Sequence, residues 1–83
     1  MDDKCEDAIK IIFLLSITKS ELTVQEIAKG THISNALVQQ LVLKLQEAEI
    51  LIASKQEKNS FHLPKNALNI SALDIFNAVS KHN

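Results

Sequence analysis

Leu22-Thr23-Val24-Gln25-Glu26-Ile27-Ala28-Lys29-Gly30-Thr31-His32-Ile33-Ser34-Asn35 contains two helix starts with the chain's single glycine between them. Thr23 and Glu26 stand at capping-box spacing. The hydroxyl of Thr23 accepts from the amide three residues on, the carboxylate of Glu26 accepts from the amide of Thr23, and two orphan donors are satisfied. Leu22 and Ile27 flank the box as a hydrophobic staple. Ser34 is a second N-cap, with Ile33 and Val38 at the same staple spacing. A helix from Thr23 to Lys29, ended at Gly30 and followed by a turn into a helix capped by Ser34, is the helix-turn-helix pattern.

Outward from that pair, the helix from Ser34 to about Ala48 divides by angle, at roughly 100° per residue. Leu37, Val38, Leu41, Leu45 and Ala48 fall on one side with Val42 at the flank, and are expected in the core. Asn35, Ala36, Gln39, Gln40, Leu43, Gln46 and Glu47 fall on the other. Ile50-Leu51-Ile52-Ala53-Ser54 and Ser60-Phe61-His62-Leu63 then read as two short strands around the polar turn Lys55 to Asn59, closed by Pro64. A hairpin directly after a helix-turn-helix is a wing. Ser71 and Asp74 repeat the capping box with a shorter acid, stapled by Ile70 and Ile75, and open a last helix whose face is Ala72, Ile75, Phe76 and Val79. Upstream, acids in the opening turn and the apolar stretch behind them predict a first helix from about Asp3 to Ile17. Its centre, Ile11-Ile12-Phe13-Leu14-Leu15, has no polar face, so it must be covered on both sides, and self-association is the simplest way to do so. The predicted fold is mainly α with a small β-hairpin, a winged helix-turn-helix in one domain over residues 1–83.

Composition narrows the function. The chain has 83 residues, 46% hydrophobic and 23% charged, with one Gly and one Pro, which is the balance of a globular helical domain. The lone Cys5 allows no internal disulfide, and a reducing, cytoplasmic setting fits it. No apolar run is long enough for a membrane span, and Met1-Asp2-Asp3 is the opposite of a basic signal-peptide front. Nine lysines, no arginine and ten acids leave a formal net charge of −1, which argues against strong phosphate-driven nucleic-acid affinity.

Three stretches carry a resemblance: Leu22 to Ala28 with Ile33-Ser34, then Leu45-Gln46-Glu47-Ala48-Glu49-Ile50-Leu51, then Leu63 to Ile75. In this order they resemble the Rrf-type family of bacterial winged-helix repressors, which includes the iron-sulfur cluster assembly regulator, the nitric-oxide-sensing repressor and the cysteine metabolism repressor. The resemblance covers nearly the whole chain and implies a DNA-binding transcriptional regulator; the apolar first helix and the lone cysteine add the expectation of a homodimer in the cytoplasm. The sequence departs from it in three places. Lys55-Gln56-Glu57-Lys58-Asn59 replaces a glycine-rich wing, Glu49 stands where a glycine is usual, and the family's cluster-ligating cysteines and long dimerising helix lie beyond the position of Val79. No cofactor or cluster is expected.

Candidate base contacts are Asn35, Gln39, Gln40 and Gln46, because amides pair with adenine in a major groove that a helix fits; Asn35 and Gln39, in the opening turns, are best placed. Lys44, Lys55, Lys58 and Lys65 are candidate phosphate contacts. Exposed amides and lysines also serve simply to solvate a surface, and Glu47, Glu49 and Glu57 are close by. Ile11, Phe13, Leu14 and Phe76 are the expected dimer-interface residues. Cys5, His32, His62 and His82 have no metal-ligand spacing, and no nucleophile motif or phosphate loop is present, so no metal site and no enzyme are expected. Two functions remain: a dimeric reader of double-stranded DNA, and a winged-helix module for a protein partner that does not bind DNA, for which the lack of Arg and the apolar Leu43 on the exposed face argue.

Overall fold

A computed structural model describes residues 3–18, 20–64 and 70–80. Helix α1 (Asp3–Thr18) leads to strand β1 (Leu22–Thr23), helices α2 (Val24–Thr31) and α3 (Asn35–Glu47), strands β2 (Ile52–Ala53) and β3 (Ser60–His62), and helix α4 (Ala72–Ser80). The result is a mainly helical winged helix-turn-helix with a small antiparallel sheet.

All three expected caps form. In the first box the Thr23 amide donates to Glu26 Oε1 at 2.9 Å and the Glu26 amide to Thr23 Oγ1 at 3.1 Å. Ser34 Oγ accepts from the Leu37 amide at 3.2 Å. At the last helix the Ser71 amide donates to Asp74 Oδ2 at 3.0 Å and the Asp74 amide to Ser71 Oγ at 3.1 Å.

The helix expected to stop at Gly30 instead runs one residue past it, and His32 takes the left-handed cap at φ 62°. Gly30 has no positive φ. Its lack of a side chain serves packing: a Cβ there would lie 2.8 Å from Leu14 Cδ2, so the bare backbone lets α1 approach α2. At its other end α3 closes in a Schellman turn. The Glu49 amide donates to Gln46 O and the Ile50 amide to Leu45 O, both at 2.9 Å, while Glu49 itself sits at φ 63°.

The core face of α3 is rotated from the expected one. Val38, Leu41, Val42 and Leu45 are buried, Leu37 is only half-buried and Ala48 is exposed. Val42, placed at the flank by angle alone, is fully buried because neighbouring elements close over that side.

The wing also differs. Its strands are shorter than the expected 50–54 and 60–63, because the Ile50 and Leu51 amides are both drawn to Leu45 O at the helix end. A third strand, unforeseen in the sequence, joins them. The sheet order is β1-β3-β2, with Leu22 opposite Phe61 and Thr23 opposite Ser60 on one side, and Ile52 opposite His62 on the other. Thus Leu22, expected as a staple, is a strand residue packed on the core.

One hydrophobic cluster joins the four helices and the sheet, with Ile11, Ile27, Leu41, Leu45 and Leu51 essentially inaccessible to solvent. α1 contributes Cys5, Ala8, Ile11 and Leu15, and α4 contributes Ile75, Ala78 and Val79. Phe76, expected on the packed face of the last helix, is 44% exposed, and Ala78 takes its place. The side chain of Ala72 lies outside the described residues, as do Lys65, His82 and the stretch 65–69 of the resemblance. No helix is long and apolar enough to cross a membrane among the described residues.

Candidate nucleic-acid interface

The sheet brings the wing back onto the start of the helix-turn-helix. Ser54 Oγ accepts from the Gln56 and Glu57 amides, both at 3.2 Å, which curls the turn without a glycine. The Ser54 amide donates to Ser60 O at 2.8 Å, and Asn59 takes the left-handed conformation at φ 60°. Asn tolerates that region better than most residues, which explains how this wing dispenses with glycine. Finally the Val24 amide donates to Asn59 O at 2.9 Å, so a wing carbonyl satisfies an orphan donor of α2.

A cleft of about 520 Å³ opens at this junction. One wall is the first turn of α2 with Gln25, and another is the first turns of α3 with Asn35, Ala36 and Gln39. The tip of the wing, Lys58 and Asn59, forms the third. Three of the eight residues singled out for DNA contact, Asn35, Gln39 and Lys58, therefore converge although Lys58 is remote in sequence. Asn35 and Lys58 are exposed and Gln39 is half-buried. Gln40 and Lys55 are exposed outside the lining.

Lys44 is placed differently from its expected role at a phosphate. It is half-buried, and its Nζ donates to Val79 O at 3.2 Å, near the end of α4. Its charge complements the negative end of that helix instead. Gln46 borders a separate groove of about 430 Å³ with Glu49, Leu51, Ile52 and Ala53. Leu43 is 44% exposed and Ile52 is 42% exposed.

Sequence reading passed over Gln25 and Asn59. Gln25 was absorbed by its position inside a capping box and Asn59 by its position in a turn. The signal that would have found them is the pairing of β1 with β3, which depends on contacts distant in the chain.

Of the residues expected at a dimer interface, Ile11 is fully buried in the core and so is not a surface residue. Leu14 is half-buried, while Phe13 at 64% and Phe76 at 44% are exposed. Ile9 and Ile17 extend the exposed row of Phe13 at helical spacing, and Leu73 accompanies Phe76 on α4.

The family model of Rrf2, described as an iron-dependent transcriptional regulator, matches residues 1–83. The chain belongs to the Rrf2 family. No curated protein and no solved structure matches it. The iron dependence in the Rrf2 description calls for ligands, and the described donors of this Rrf2 chain do not fit that need. Cys5 is buried in the core, His32 is an exposed helix cap and His62 lies in β3. Among the described residues no group of three or more His, Cys, Asp or Glu side chains could hold a metal ion.

Proposed function

We propose that this Rrf2-family chain binds double-stranded DNA as a cytoplasmic homodimer, with α3 as the recognition helix and residues 52–62 as the wing beside it. The observation that carries the reading is the cleft in which Asn35 and Gln39 of α3 meet Lys58 of the wing. A helix whose opening turns carry amides fits a major groove, and a cation on the adjacent wing fits the flanking phosphates. Lys55, exposed on the same turn, adds a second phosphate contact, and exposed Gln40 is placed to reach the groove from the next position on α3. The low net charge fits modest non-specific affinity, with selectivity supplied by base contacts.

The dimer surface we propose is the exposed apolar set of Phe13 on α1 and Phe76 on α4, flanked by Ile9, Ile17, half-buried Leu14 and Leu73. Two copies would present two recognition helices to two half-sites. The protein acts by binding and not by catalysis. Family membership weighs against the reading as a protein-interaction module without DNA.

Fluorescence anisotropy of a labelled random duplex pool tests the proposal at low and physiological salt. Binding that falls with salt and weakens in Lys58→Ala and Lys55→Ala is expected. No binding at low salt at any protein concentration up to tens of micromolar would overturn it.

A further inference from the structure

We infer that the cleft selects A·T base pairs, reading the major-groove edge of adenine with Asn35 and Gln39 and the methyl group of thymine with Ala36. This rests on the DNA-binding reading above and assigns the bases it leaves open.

The argument is the chemistry of the cleft wall. Adenine presents an acceptor at N7 beside a donor at N6, and a side-chain amide is the group that offers a donor and an acceptor together to meet them. Guanine presents two acceptors, O6 and N7, which are matched by a guanidinium or an ammonium. The chain has no arginine, and among the described residues the cation that lines the cleft, Lys58, stands on the wing and not on α3. Cytosine presents a donor at N4 and calls for an acidic acceptor. Among the described residues no Asp or Glu lines the cleft, and neighbouring Glu26 is committed to the Thr23 amide. Of these three bases, then, adenine is the one that a side-chain amide of α3 meets with its donor and its acceptor together.

Ala36 supplies the other half of the pair. It is exposed in the first turn of α3, between the two amides, and a methyl side chain there suits the C5-methyl of thymine. Spacing limits the site further. Asn35 and Gln39 share one face of α3 and are separated by about 6 Å of axial rise. Successive base pairs are about 3.4 Å apart, so the two amides address adenines one or two steps from each other.

The test selects duplexes from a random pool on the 83-residue chain, then rebuilds the selected site with 7-deazaadenine, which keeps Watson–Crick pairing but lacks the N7 acceptor. The expected result is a site with A·T pairs one or two steps apart. Each contacted adenine loses on the order of 10-fold in affinity when replaced by its 7-deaza analogue. Asn35→Ala and Gln39→Ala are each expected to abolish the effect of one analogue position, and deoxyuridine for thymine to weaken wild type but not Ala36→Gly. Because the analogue experiment uses the unaltered protein, it holds even if a variant fails to fold. Binding with no base preference, a G·C-rich site, or an A·T preference indifferent to 7-deazaadenine would overturn the inference and leave DNA binding standing. No binding to any duplex would overturn both.

Discussion

Glu49 occupies a conformation that L-residues avoid. At φ 63° its Cβ crowds the backbone, at a cost of roughly 1–2 kcal/mol, yet the Schellman turn it completes is what turns the chain from α3 into the wing. Glycine would remove that crowding but bring about 0.5–1 kcal/mol of extra chain entropy to be lost on folding. Glu49→Gly is therefore expected to stabilise the protein by roughly 1 kcal/mol, seen in urea denaturation as a higher midpoint with an unchanged slope. A lower midpoint would show that Glu49 makes an interaction outweighing its strain. The glycine usual at this position in the resembled family thus has a backbone reason, legible only once the dihedral is known.

At the scale of elements, the cleft depends on the first turn of α2 staying wound, because that turn carries Gln25 and receives the carbonyl of Asn59. Thr23→Ala removes one half of the capping box and is expected to cost about 1 kcal/mol, as thermal denaturation would report. Its effect on duplex binding should exceed that of an equally destabilising core change such as Leu41→Val, since Thr23 also borders the cleft. Equal binding losses in the two variants would make the cap purely structural. The tie between α3 and α4 behaves differently. Lys44→Gln loses the bond to Val79 O and is expected to cost about 1 kcal/mol of stability while leaving the salt dependence of DNA binding unchanged. Lys58→Gln should do the reverse, lowering the salt slope by about 1 with little change in stability. A reduced slope in Lys44→Gln would return that lysine to the phosphates.

For the whole molecule, the central issue is what covers the apolar residues that one copy leaves in water. Phe13, Ile17 and Leu73 are each more than half exposed, and Phe76 nearly so. A dimer that sequesters them is expected in sedimentation velocity at micromolar concentration, and Phe13→Lys combined with Phe76→Lys should shift it to monomer with the fold retained. Persistence of the dimer in that variant would move the interface elsewhere. Because two half-sites bound together gain affinity from being linked, the monomeric variant should also bind DNA more weakly without changed base preference.

The local interactions were written in the sequence. Both capping boxes, the Ser34 cap, the order of helices and hairpin, and the candidacy of Asn35, Gln39 and Lys58 all follow from residues a few positions apart, where hydrogen-bond reach and periodicity settle the outcome. Even the apolar centre of α1 announced that one copy would leave part of it uncovered. Tertiary structure alone decided the rest. Pairing of β1 with β3, full burial of Val42 and Ile11, exposure of Phe76, the engagement of Lys44 by α4 and the role of Gly30 in helix packing all arise from contacts between distant segments. The physical reason is that a helical face is a sector of angle, and which degrees of it are covered depends on the neighbours that arrive from elsewhere in the chain.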